Sequence, residues 1–315
     1  MRHTPPDTPP DKPPDMTSSP ASVDIVREFP DTSWADDGPT RNVERIVEDG
    51  MVLSFPQLPF VLSESERRFL DPRWADGKAK NISLRWGLQH PGGELRGALG
   101  DATDLAALKA MIVRYADQSE TFALRLFPHY RTHLQRGNTS FRPVDVAGRE
   151  TSWRKDDTRL HIDAFPSNPM HGTRLLRVFC NVNPNGEPRR WRVGEPFEAH
   201  ARRYLPAISQ PLPGSAWLMN AVGITKRRRT EYDHMMLQLH DRAKADAAFQ
   251  SGSPQARVDF APSTTWVVFS DQVLHAAMGG QHMMEQTFYL APEHQHRPEA
   301  SPLGTLERLA GRTLR

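Results

Sequence analysis

The chain contains one cysteine, Cys180, among 315 residues, so no internal disulfide can form and a reducing compartment is the natural setting. It has no apolar run of membrane-spanning length, and its N-terminus lacks the hydrophobic stretch of a signal peptide. It also has little net charge: a formal +2 leaves no global nucleic-acid signature. Hydrophobic content is low at 37%, partly because the first residues are rich in proline and polar groups. No internal repeat is present. These absences lead to the expectation of a cytoplasmic, soluble chain, long enough to bury a substantial core in one large domain or two small ones.

Residues 1–20 (MRHTPPDTPPDKPPDMTSSP) offer nothing that can bury a face and read as a disordered tail. Order is expected from residue 21 to 295 as a single domain, with 296–315 as a C-terminal extension. Val23–Val26 reads as a short strand, Arg45–Leu62 as two extended pieces, and Ser63-Glu64-Ser65-Glu66 as the capped start of a short helix. Leu105, Leu108, Ile112 and Tyr115 recur at helical spacing, and Phe122, Leu126 and Tyr130 predict a second helix bent at Pro128. Beyond Thr151 the texture changes to short strands between turn signals: Leu160–Phe165, Arg174–Val182, Ala216–Met219, Thr265–Phe269, Val273–Ala277 and Gln286–Leu290. A long helix over Thr230–Phe249 interrupts them, with Thr230 and Asp233 as its capping pair, and a weak helix closes the chain near Leu306–Leu309. Evenly spaced short strands with flanking helices predict a mainly β core, a sandwich or jelly roll rather than a parallel sheet.

Within Leu160–Phe165, an extended backbone projects His161 and Asp163 from the same face. A histidine and a carboxylate side by side lack one ligand of the two-His-one-carboxylate triad that holds non-haem iron(II). His275, just after the apolar run Trp266–Phe269, is the best candidate for the third ligand, and His282 is the next. By itself a His-x-Asp triplet is common in proteins, and a histidine at a strand end is as readily a satisfied core residue.

Longer stretches are more specific. RLHIDAFPSNPMHGTRLLRVFCNVNPNGEPRRWRVGEPF (159–197) and VLHAAMGGQHMMEQTFYL (273–290) resemble the Kdo hydroxylase family of Fe(II)/2-oxoglutarate-dependent dioxygenases, a resemblance extending from about Val23 to Pro292. It implies a double-stranded β-helix, iron held by His161, Asp163 and His275, and 2-oxoglutarate and O2 as co-substrates. The implied reaction hydroxylates C3 of 3-deoxy-D-manno-oct-2-ulosonic acid (Kdo) in the lipopolysaccharide inner core, with succinate and CO2 as co-products.

Enzymes of this class need a cation for the far carboxylate of 2-oxoglutarate. Many place it about ten residues after the second histidine, where this chain has Glu285, then Gln286 and Thr287. The alternative is an arginine on the strand after His-x-Asp. Arg174 and Arg177 both lie there, three apart and so on opposite faces. Arg177 is favoured because its face continues with Phe179 and Asn181, whereas Arg174 shares its face with Leu176, Val178 and Cys180. Thr287 or Gln286 would add a hydrogen bond. For an anionic, lipid-borne acceptor the candidate contacts are Asn181, Arg190, Arg192, Arg227 and Arg228, and the run Lys226–Arg229 predicts peripheral attachment to an anionic membrane surface on the cytoplasmic face. Two competing readings are a 2-oxoglutarate-dependent hydroxylase of a protein side chain, and a cupin-like sugar-binding or isomerase domain that makes no use of O2.

Overall fold

The computed structural model describes residues 25–36, 43–87, 90–145 and 152–315. The tail at 1–20 and the Val23–Asp24 start of the first expected strand lie outside the described residues. In chain order the elements are β1 (Val26–Glu28), α1 (Val43–Glu48), β2 (Val52–Phe55), β3 (Ile82–Gly87), β4 (His90–Arg96), α2 (Ala102–Leu126) and β5 (Gln135–Arg142). They continue with β6 (Arg174–Asn181), β7 (Arg189–Gly194), α3 (Phe197–Tyr204), α4 (Ser215–Ala221), α5 (Glu231–Ala245) and α6 (Ala247–Gly252). The last are β8 (Gln255–Phe260), β9 (Thr265–Phe269), β10 (His275–Gly279), β11 (Met283–Leu290) and α7 (Pro302–Ala310). The strands form one large sheet, ordered β1-β2-β9-β6-β11-β5-β3-β4, and a small one, β10-β7-β8. Apart from the parallel β1–β2 edge, all pairings are antiparallel. The fold is a jelly roll with flanking helices, as expected.

The central strands β9, β6 and β11 of the large sheet are largely buried on both faces, and their alternation sorts two environments. On β6 and β11, Leu176, Val178, Met284, Phe288 and Leu290 pack outward into apolar clusters shared with α2. Fully buried Leu108, Ile112 and Phe122 on that helix each contribute about 1.5–3 kcal/mol through the area removed from water. Tyr115 of α2 donates its hydroxyl to the Val178 carbonyl at 2.9 Å and fixes the helix against β6. Between the sheets lies an aromatic floor, in which Phe179, Trp191, Phe260 and Trp266 stack with Val193 and Val268. Behind the small sheet, α3, α5, α6 and α7 pack on Leu160, Ile162, Leu274 and Ala276.

Several expected elements differ from the structure. The two helices expected over 105–130 are one, α2, ended by Pro128, which opens a separate 3-10 turn. Arg45–Leu62 begins in α1 rather than in a strand. Ser63 and Glu66 do exchange their capping hydrogen bonds, but they lead into a 3-10 turn at Arg67–Leu70. Ala216–Met219 is not a strand but the body of α4: Gly214 turns the chain in the left-handed region, and the Leu218 N–H bonds back to its carbonyl. Leu160–Phe165 is not a strand either; it makes a single bridge at His161, and the next hydrogen bond, from Asp163 N to Ser270 O at 2.9 Å, goes to a different segment. The long helix breaks at Asp246 into α5 and α6, and its Thr230–Asp233 capping box is present. The strands β3, β4, β5, β7 and β8 lie outside the expected set. Residues 296–315, set apart above as an extension, bury Leu303, Leu306 and Leu314 in the same cluster as α5.

Candidate active site

The cavity between the sheets, about 290 Å³, is lined by alternate residues of five strands: Asn138, Ser140 and Arg142 of β5; Arg177 and Phe179 of β6; Arg189 and Trp191 of β7; His275 and Ala277 of β10; and Met283, Glu285, Thr287 and Tyr289 of β11. Period-two projection explains why these positions face inward while their neighbours pack against helices or solvent. The loop before β6 adds Asp157, His161, Asp163 and Phe165, and Lys80 and Asn81 stand before β3.

His161 and His275 are brought together by their own backbones. The His161 N–H donates to the His275 carbonyl at 3.0 Å and the His275 N–H to the His161 carbonyl at 2.9 Å, a one-pair antiparallel bridge. Their rings and the Asp163 carboxylate offer ligand atoms that all lie within 4.8 Å of one another. Each ring is held by its Nδ1–H, which donates to a backbone carbonyl: Arg159 at 2.7 Å for His161, and Val273 at 2.9 Å for His275. That tautomer leaves both Nε2 lone pairs free toward Asp163, the arrangement in which imidazoles bind a metal. Burial, reinforced for His161 by the neighbouring His275, pushes both imidazoles below their ordinary value and keeps them neutral. Burial alone would raise the Asp163 carboxyl, but the Arg177 guanidinium beside it outweighs burial and holds it well below the usual carboxylate range. Two neutral imidazoles and one carboxylate are a donor set that fits a divalent iron. His282 stands apart, on a left-handed turn residue outside this cluster.

Around the triad runs a network of cations and carboxylates. Arg177 reaches Asp163 at 3.1 Å with one nitrogen and Glu285 at 2.9 Å with another. Arg142 meets the other Glu285 oxygen at 3.0 Å, and Lys80 pairs with Asp157. Arg189 is nearly fully buried and has no carboxylate partner among the described residues; it donates to the Gly280 carbonyl at 2.6 Å. Burial and then Arg142 push its guanidinium down to about 9, which still leaves it cationic at neutral pH. Gly280 has φ +107, and a Cβ there would meet the Pro188 carbonyl at 2.8 Å, so the turn that receives Arg189 requires glycine.

The other sequence-derived candidates divide. Arg177 and Thr287 line the cavity. Arg174 does not: it is fully buried elsewhere, bonded to Asp271, Gln272 and Gln295. Gln286 projects from the opposite face of β11, accepting from the Thr139 hydroxyl at 2.6 Å and donating to the Gly137 carbonyl. Asn181 is also occupied, donating to the Glu187 and Phe260 carbonyls and accepting from Asn183 N, so that Asn183 belongs to a turn. Arg190 and Arg192 do share a strand face, but it is the one turned away from the cavity: Arg190 pairs with Glu187, and Arg192 with the Thr158 carbonyl. Arg227 and Arg228 are exposed outside the cavity, Arg227 donating to the Pro169 carbonyl at 2.6 Å. Sequence reasoning missed Lys80, Arg142, Arg189 and the bridging role of Glu285. The available signal was the polar run Glu285-Gln286-Thr287 inside an otherwise apolar strand; in the Arg189–Arg192 run, Arg189 and Trp191 face the cavity and Arg190 and Arg192 do not.

Comparison with known proteins gives a consistent result. The model of the family described as 3-deoxy-D-manno-oct-2-ulosonic acid (Kdo) hydroxylase matches residues 31–313. A crystal structure of the Kdo hydroxylase KdoO, a non-heme Fe(II) α-ketoglutarate-dependent dioxygenase, in complex with cobalt(II) is 46% identical. That likeness covers 92% of this chain and 97% of the other, with a TM-score of 0.87. KdoO in complex with α-ketoglutarate and Fe(III) is 45% identical over the same shares, with a TM-score of 0.86. KdoO with succinate and Fe(III) is 44% identical, again over the same shares and with a TM-score of 0.86. No curated protein matches the chain. Among the described residues, no helix is long and apolar enough to cross a membrane.

Proposed function

This chain belongs to the Kdo hydroxylase family, and on that premise we propose how its residues carry out the reaction and which acceptor it uses. It is an Fe(II)- and 2-oxoglutarate-dependent dioxygenase that hydroxylates Kdo. The acceptor is Kdo carried on lipid A, hydroxylated at C3. The observation that carries this reading is the neutral, Nδ1-anchored histidine pair beside Asp163, set in a cavity ringed by arginines.

His161, Asp163 and His275 hold the iron. Bound iron supplies the redox chemistry by which one atom of O2 enters the sugar and the other enters succinate, as 2-oxoglutarate loses CO2. Arg177, with Arg142 and Arg189 beside it, receives the carboxylates of 2-oxoglutarate, and Thr287 lies within the same wall. Its planar fork suits a carboxylate better than a lysine would. Phe179 and Trp191 close the floor against water. Charge also favours a sugar acid. The cavity lining holds four cations (Lys80, Arg142, Arg177, Arg189) and three carboxylates (Asp157, Asp163, Glu285). With a divalent iron added, that excess balances dianionic 2-oxoglutarate and one further carboxylate, which a Kdo residue carries. A lipid-borne acceptor brings the enzyme to the cytoplasmic face of the membrane, where Lys226, Arg227, Arg228 and Arg229 make peripheral contact with anionic headgroups.

The test is aerobic incubation of purified protein with Fe(II), 2-oxoglutarate and Kdo-lipid A. The expected result is a mass gain of one oxygen in the Kdo portion, with one succinate released per sugar oxidised. Succinate release that never couples to oxygen in the sugar, with Kdo-lipid A or with its delipidated oligosaccharide, would overturn the substrate assignment.

A further inference from the structure

One surface outside the cavity is unlike the rest of the molecule. Leu212, Trp217, Leu218, Val222 and Ile224 are 77, 64, 55, 59 and 58% exposed. Among the described residues, the other exposed large hydrophobics, Val61, Leu99 and Met278, fall singly elsewhere in the chain. Scattered exposed apolar residues are ordinary, whereas five within one short segment are not. α4 presents Trp217 and Leu218, and Val222 caps its C-terminal end. The chain then folds back, with the Ile224 N–H bonded to the Met219 carbonyl at 2.9 Å, which keeps Ile224 beside the helix.

Directly after this apolar knob comes Lys226-Arg227-Arg228-Arg229, and none of the four pairs with a carboxylate among the described residues. Their positions are fixed instead by backbone carbonyls near the cavity. The Lys226 N–H donates to the Ser167 carbonyl at 2.9 Å, Arg227 donates to the Pro169 carbonyl at 2.6 Å, and Arg229 donates to the Pro166 carbonyl. That acceptor segment follows Asp163 and the cavity-lining Phe165 within a few residues. The exposed apolar knob, its unpaired cations and the cavity wall are therefore joined by short, hydrogen-bonded connections.

We propose that residues 212–229 are a membrane-docking element: the Leu212–Ile224 knob enters the headgroup–acyl boundary of an anionic bilayer, with Lys226 and Arg228 against the phosphates. This deepens the peripheral contact described above and rests on that reading, but it replaces a purely electrostatic attachment with an inserted one. Aromatic and aliphatic side chains beside a basic run are what an interfacial lipid contact requires. Protein–protein interfaces share the enrichment in tryptophan and arginine but are depleted in lysine, and four consecutive cations with no carboxylate partner among the described residues suit a surface of phosphates better. Docking here sets the Pro166–Pro169 segment, which follows the cavity-lining Phe165, against the lipid surface, so a sugar carried on a lipid anchor meets the site without leaving the bilayer.

Cosedimentation of the full chain with phosphatidylcholine vesicles, with and without phosphatidylglycerol, at low and high salt tests this. Trp217→Ser/Leu218→Ser/Ile224→Ser and Lys226→Gln/Arg228→Gln variants are run beside the wild type. Wild-type binding to phosphatidylglycerol vesicles is expected to weaken but persist in high salt. The triple serine variant should lose at least about tenfold in partitioning at either salt, because its buried apolar area is gone. The double glutamine variant should lose mainly its low-salt binding. Brominated lipid should quench part of the wild-type tryptophan emission, and Trp217→Phe should remove that part. Equal binding by wild type and the triple variant, or no quenching, overturns the proposal. So does self-association in place of vesicle binding, if the serine variant abolishes it, because a second copy would then cover the knob. Hydroxylation of a delipidated Kdo oligosaccharide is measured in parallel and should be unchanged in every variant. Absence of sugar hydroxylation in the wild type with both this oligosaccharide and Kdo-lipid A would remove the functional reading while vesicle binding still judged the docking surface by itself.

Discussion

Two arginines on β6, three residues apart, have different environments: Arg174 is buried and Arg177 half-buried. Arg174 has no exposed surface and every side-chain nitrogen engaged: Nε with Asp271 at 2.7 Å, Nη1 with Gln295 at 2.7 Å and Nη2 with Gln272 at 2.6 Å. The Phe269 ring stacks at 3.9 Å from its guanidinium carbon. Arg177 faces the cavity with a buried Nε that has no partner, and its two carboxylates, Asp163 and Glu285, are shared with the proposed iron ligands and with Arg142. Residue type does not separate these two arginines; the saturation of their donors does. A cation whose donors are all met by the protein is part of the frame, and one with donors left over in a cavity is placed for a ligand.

The comparison depends first on the triad. His161→Ala, Asp163→Ala or His275→Ala should each abolish turnover and lower iron binding, with circular dichroism unchanged. Full activity in His275→Ala would remove the ligand assignment and make the bridge with His161 purely structural. Next in size, Arg174→Met should cost about 3–5 kcal/mol of stability, because it leaves Asp271 buried without its partner. Chemical denaturation measures this, and the Michaelis constant for 2-oxoglutarate should hardly move. Arg177→Met should show the opposite balance: a smaller loss of stability and a 2-oxoglutarate Michaelis constant raised about 10- to 100-fold, as expected for a lost charge-assisted contact of about 1.5–3 kcal/mol. If the two variants exchanged these effects, saturation would be the wrong criterion. Least affected should be Arg190→Gln, which removes an exposed pair with Glu187 and should change stability by under about 0.5 kcal/mol and kinetics not at all. A raised acceptor Michaelis constant in that variant would extend the site to the far face of β7.

Part of this division was legible in the chain itself. Strand periodicity places Arg174 and Arg177 on opposite faces whatever the partners, and Phe179 follows Arg177 on the inner one. The capping pair Thr230–Asp233, the apolar stripe of α5 and the strands β6, β9 and β11 are likewise local matters of spacing and hydrogen bonding. The single cysteine behaves as its apolar neighbours imply: Cys180 is fully buried, and burial pushes its thiol up to about 11.

Other features were not local. Ala216–Met219 is apolar enough for a strand, yet among the described residues it pairs with no strand and closes its hydrogen bonds within a helix. His161 and Asp163 point together not because they belong to a strand but because two distant segments, at His275 and Ser270, accept their N–H groups. Glu285, set down in the sequence as a missing cation, became the counter-ion of Arg142 and Arg177 only when β5, β6 and β11 were laid side by side. Periodicity along one strand determines which face a side chain takes. Which residues of the other strands wait on that face is set by register and sheet order, and those are decided by long-range packing that no window of sequence contains.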